Sequence, residues 1–205
     1  MNYPFDFMGQ RPGLASLPPI PVVELTGEEF GAGLSRRELA LAADRLLRNL
    51  QRGEGLPNDD TGWSLRINQK GRKKMGDNAD LSAAESKAVA GIDRLAKYAV
   101  VTERHADLEH HNEFVRAVCR LYASLVIDGV PYRVKLTVKD YAGAAAKKEL
   151  HALAAVEIEH APPGIFPTSS DKASVQSGQP TTGRTVNITD LLKNAIRNDG
   201  SPYAL

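Results

Sequence analysis

The stretch FVRAVCRLYASLVIDGVPYRVKLTVKD, residues 114–140, decides the fold. Two strand-like runs flank Asp128-Gly129, a two-residue hairpin signal, because both central positions of the tightest turn require positive φ. With Ile127 facing Val130, counting outward sets Arg133 opposite Ser124, Lys135 opposite Tyr122 and Thr137 opposite Arg120. On the other face Val134, Leu136 and Val138 meet Ala123, Leu121 and Cys119. Side chains alternate strictly across a sheet. One face is therefore apolar, and the other gathers Arg120, Tyr122, Arg133, Lys135, Thr137 and Lys139, with no carboxylate along the paired stretch. Such a face is either a solvated outer surface or a seat for an anion, since cations crowded together repel one another unless a partner neutralises them.

Upstream, Val22 to Leu25 reads as a strand closed by Thr26-Gly27. Ser35-Arg36-Arg37-Glu38 has capping-box spacing, in which hydroxyl and carboxylate reciprocally satisfy free backbone donors. Leu39, Ala43, Leu46, Leu47 and Leu50 then share one helical face, with Asp44, Arg45 and Arg48 away from it. Asn58 to Gly62 is a turn, and Trp63 to Asn68 alternates as a half-buried strand containing Arg66. The basic run Lys70-Gly71-Arg72-Lys73-Lys74 follows. It is either solvated surface or a rim that holds a phosphate backbone. A second capping box, Ser82 to Glu85, opens a helix that buries Val89, Ile92, Leu95, Ala96 and Ala99. Downstream of the hairpin, Leu150 to Ile158, carrying His151, reads as a further strand able to pair beside the hairpin, although its Ala-rich sequence also suits a helix. Residues 161–187 are rich in Pro, Gly, Ser and Thr and read as an exposed linker. A short amphipathic helix from Thr189 to Arg197 closes the chain.

The expected architecture is α+β, with N-terminal helices packed on a small antiparallel β-sheet and a short C-terminal helix. Its expected divisions are a flexible arm at 1–21, an α+β domain at 22–160, the linker at 161–187, and a docking helix at 188–205.

Composition narrows the function. The 26 Lys and Arg nearly cancel the 25 Asp and Glu in a chain of 205 residues, so any case for nucleic acid rests on local patches. The single cysteine, Cys119, excludes an intrachain disulfide framework and zinc ribbons, and its setting is that of a small buried hydrophobe. His110-His111 lacks metal-ligand spacing, so no metal is expected. Neither a P-loop nor a dinucleotide turn nor a nucleophile elbow is present, and no cofactor is expected. No apolar run approaches the roughly 20 residues of a membrane helix, and the N-terminus lacks a secretory pattern. A cytoplasmic protein is expected, with delivery into a target cell left open.

Several elements in series resemble one family. They are Asn58 to Gly62 before a strand, Lys70 to Lys74, and Ile92 to Val100. After the Asp-Gly turn come Tyr132 to Lys139, then His151, and the ending Ile188 to Lys193 with Asp199 to Tyr203. This order resembles the large polyvalent protein-associated domains of phages and conjugative elements, which are similar to the nuclease superfamily of barnase, EndoU, colicin and RelE toxins. The resemblance implies RNA cleavage without metal, with the RNA 2′-hydroxyl as nucleophile. It casts His151 as candidate base or acid, Lys135 and Arg120 as charge stabilisers, and Thr137 or Tyr122 as a hydrogen-bonding partner. Lys73, Lys74, Arg66, Arg133 and Lys139 would bind RNA, and an immunity or antitoxin protein would cover the cationic face. A non-catalytic module holding RNA or a protein on the same fold is the alternative, and an enzyme acting on a nucleotide-like cofactor is a third.

Overall fold

The computed structural model describes residues 5–6, 9–76, 82–107, 114–141, 150–165 and 183–205. Its centre is the expected hairpin, β5 (Val115–Ile127) and β6 (Val130–Tyr141). Asp128 and Gly129 both have positive φ, at 50° and 74°. The register matches the counting from that turn pair by pair, from Ile127 opposite Val130 to Cys119 opposite Val138.

Around this hairpin the architecture departs from the expected one. The sheet is neither small nor antiparallel throughout. Among the described residues it has eight strands, is mixed, curls into a half-barrel and dominates the molecule, while the helices are few and mostly short. Among the described residues two pairings are parallel. β1 (Ile20–Leu25) runs parallel to β5 at residues 124–127, and β3 (Ser64–Ile67) runs parallel to β7 (Leu150–His160). β7 completes the meander beside β6, β2 (Leu56–Pro57) pairs with β3, and β8 (Thr185–Val186) pairs with β1. One edge of β5 is shared, because β4 (Val100–His105) takes residues 118–122 and β1 takes 124–127. Long-range parallel partners of this kind leave no local trace in a sequence, because the residues joining them are not a turn.

Helices cover one face of the sheet. α1 (Arg36–Gln51) starts at the Ser35–Glu38 capping box, with both reciprocal hydrogen bonds formed, and buries Leu39, Ala43 and Leu47. The basic run expected at a strand rim is a helix, α2 (Gln69–Gly76). It lies close over β7, and a Cβ on Gly71 would stand 2.3 Å from the Leu153 carbonyl oxygen, so only glycine permits the approach. The second capping box starts α3 (Ala83–Ala88), and the expected single helix is interrupted by a 3-10 turn before α4 (Ile92–Tyr98). These helices and the sheet bury one core that includes Leu47, Leu65, Ile92, Leu95, Leu121, Leu136 and Leu153.

The opposite face carries a second, smaller core. Here Tyr122 packs with Leu14, Ile20, Val186, Ile188, Leu191, Leu192 and Tyr203. The closing helix is shorter than expected. α5 spans Ile188–Leu191, and the chain then turns through an isolated bridge between Ile196 and Pro202. Residues 9–11, within the arm at the start, lie along β4: Arg104 N–H donates to the Gly9 carbonyl and Arg11 N–H to that of Thr102. Of the stretch read as a linker, 166–182 lies outside the described residues.

Two consequences for stability and reactivity follow from this packing. Cys119 is fully buried, and burial pushes its thiol up to about 12. At pH 8 almost none of it is thiolate, so iodoacetamide leaves the native protein unlabelled and labels it once guanidinium unfolds it; mass spectrometry reads the difference. Asn58, also buried, donates from Nδ2 to the Ala96 and Ala99 carbonyls at 2.6 and 2.8 Å and accepts from Thr61 N–H and Oγ1 at 2.9 and 2.6 Å. It joins the turn before β3 to the end of α4. Asn58→Ala leaves those groups without partners and lowers stability by roughly 2–4 kcal/mol, measured as a shifted denaturation midpoint.

Candidate nucleic-acid interface

The cationic hairpin face is assembled in register, but it is neither open nor unneutralised. Lys135 pairs with Glu157 at 2.6 Å, and Arg133 pairs with Glu159; both carboxylates come from β7, directly across from their cations. Lys139 pairs with Asp107 at 2.9 Å. Arg120 donates to Asn198 Oδ1 at 2.7 Å and stands 3.8 Å from Glu103. Arg133 also donates to the Leu191 and Lys193 carbonyls, so the guanidinium serves as the end cap of α5. Tyr122 lies beneath the C-terminal segment, edge-on to Tyr203, and burial raises both phenols. Thr137, half-buried, faces Arg120 across the hairpin.

His151 lies on the other side of the sheet. It is opposite Asp140 and beside Leu65, whose side chain is in the helix-covered core. Its ring stacks on Trp63 with centroids 4.1 Å apart, and Nε2 stands 3.7 Å from Asp140 Oδ1. Arg116 and Arg104 approach the same carboxylate at 2.8 and 3.6 Å. The five residues expected to act together therefore do not converge: Arg120, Tyr122, Lys135 and Thr137 share one face, and His151 is on the opposite one. Alternation along β6 enforces this, since Asp140 has the opposite parity to Lys135 and Thr137.

A cluster of exposed cations lies elsewhere, on the helical layer. At roughly 100° per residue, Arg37, Arg45, Arg48 and Arg52 fall within about an 80° arc of α1 and its C-cap, facing away from buried Ala43 and Leu47. Leu41 lies in the same stripe. α2 packs against α1 through Asp44, which binds both Arg72 and, at 2.7 Å, Arg48. On its outer side α2 exposes Lys70, Lys73 and Lys74. Against these cations α1 exposes Glu38, which its capping role occupies, and Glu54 follows the helix. Among the described residues, Arg37, Arg45, Arg52, Lys70, Lys73 and Lys74 form no ion pair. Arg66 is exposed on β3 and donates to the Gly53 carbonyl just past α1. Lys73 and Lys74, expected from the sequence to bind RNA, lie on this layer, and the α1 arginines beside them carried no such expectation. The signal that could have found them is the helical spacing of Arg37, Arg45, Arg48 and Arg52, of which Arg45 and Arg48 stand out in the sequence only as lying away from the apolar face.

Among the described residues no group of His, Cys, Asp or Glu is placed to hold a metal ion, and no helix is long and apolar enough to cross a membrane. The fold and this layer define a mixed-sheet domain with a basic helical surface. Residues 35–152, more than half of the chain, match the family model of large polyvalent protein-associated domain 3, and the chain belongs to that family. The match runs from the α1 cap to the first residues of β7 and takes in both basic helices. No curated protein and no solved structure matches the chain.

Proposed function

We propose that this domain is a non-catalytic RNA-binding module of a phage or other mobile element, holding RNA by its phosphates across α1 and α2. The observation that carries this reading is the arginine stripe of α1 beside the outward lysines of α2, with no carboxylate paired to most of them. Cations arranged this way neutralise phosphates and release counterions, which gives affinity without base specificity. No exposed aromatic side chain lies on α1 or α2 for bases to stack on, so the contact is with the backbone.

Binding rather than cleavage is favoured because His151 and the hairpin cations face opposite ways. Incubation of the protein with RNA and EDTA is expected to give a salt-sensitive complex and intact RNA. Fragments ending in a 2′,3′-cyclic phosphate, lost in His151→Ala, would replace the binding module with a ribonuclease.

A further inference from the structure

We propose that the outer edge of β7, from Ala155 to His160, accepts an extended basic segment of a partner protein as an added strand. β3 pairs with β7 only at His151, Ala152 and Leu153. α2 then crosses the edge at Leu153 and Ala154 through Gly71. Beyond that point β7 keeps β6 on one side, and among the described residues no strand pairs with the other. β7 pairs with β6 from Tyr141 opposite Leu150 to Tyr132 opposite His160, so its backbone is held in extended form, and among the described residues its outer row of donors and acceptors beyond Ala154 has no backbone partner. Such an edge binds peptides by main-chain hydrogen bonds, with side-chain chemistry choosing among them.

The alternating side chains define the occupant. Val156 and Ile158 are partly buried and pack against the main core on the helix-covered face. Glu157 and Glu159 project from the other face, with side chains 44% and 49% exposed. Each carboxylate holds one cation from β6 and retains open acceptor sites on its exposed side. A strand alternating apolar and basic residues would extend the apolar row and bring lysine or arginine beside both glutamates. A second copy of this chain fits poorly. A two-fold antiparallel pairing of β7 with itself sets residues of equal parity face to face, which puts glutamate against glutamate on the exposed side.

The test uses the full chain and an end-blocked octapeptide of alternating valine and lysine, read by calorimetry and by amide hydrogen exchange. Saturable binding is expected, with exchange at 155–160 slowed by about tenfold or more and the rest of the sheet little changed. Glu157→Gln with Glu159→Gln weakens binding by about fivefold or more, and a valine–glutamate peptide binds at least about tenfold more weakly. The proposal falls if millimolar peptide leaves exchange at 155–160 unchanged, or if the acidic peptide binds equally well. It also falls if the free protein sediments as a dimer with that edge already protected. The basic helical layer repels this peptide, so the result is independent of RNA binding.

Discussion

Neutralising Arg37, Arg45 and Arg52 together by glutamine is expected to weaken RNA binding by roughly 50-fold at about 0.15 M salt and to lower the salt slope by about two. Each phosphate contact to single-stranded RNA contributes about 0.7 to that slope, and three contacts at this ionic strength amount to between one and two decades. Arg48 is left in place because it is tied to Asp44. Glutamine supports helix nearly as well as arginine, and the positions are exposed, so unfolding midpoints should barely move. Lys135→Gln is the matched control, because its ammonium is engaged by Glu157 and largely covered. Filter binding across a salt series checks both. An unchanged triple variant with a defective Lys135→Gln would transfer binding from the helical layer to the hairpin face.

Arg133→Met is expected to destabilise the protein by roughly 2–4 kcal/mol and to loosen the C-terminal segment before the rest unfolds. The guanidinium is buried, and its removal leaves the Leu191 carbonyl inside the structure without its donor. It also strips the cap from Lys193 and the partner from Glu159. Glu159→Gln should cost under about 1 kcal/mol, because that carboxylate is half exposed and water replaces what it loses. Limited trypsinolysis distinguishes these outcomes: cleavage after Lys193 becomes fast in Arg133→Met and stays slow in Glu159→Gln. Equal protection in both variants would mean that the apolar contacts of Leu191, Leu192 and Tyr203 hold the segment unaided.

The hairpin was legible to the residue because a tight turn and a period of two leave only one register. The same counting misjudged the charge of the polar face. It included two strands, whereas Glu157 and Glu159 arrive on a third, more than twenty residues away, and Glu103 and Asp107 come from β4 and just beyond it. His151 lies in a strand beside β6, one of the two readings its Ala-rich segment allows, but the side it faces was not readable. The chain between Tyr141 and Leu150 does not announce a register, and β7 also carries an irregularity between its pairs to Thr137 and Val138. Asn58 to Gly62, one of the stretches that carried the family resemblance, proves to be a structural turn whose side chains are spent on backbone groups.

By itself the sequence determined the local elements: both capping boxes, the Asp-Gly turn, the alternating strands and the lone buried cysteine. Each depends on residues within a few positions of one another, where sterics and hydrogen-bond reach leave little choice. Tertiary structure alone decided that the sheet is mixed, that the hairpin cations are neutralised by carboxylates from β7, from β4 and from just beyond it, and that the open basic surface is helical. Those outcomes follow from which distant strands share an edge and which carboxylates they bring, and strand pairing across long loops is set by burial of the whole core.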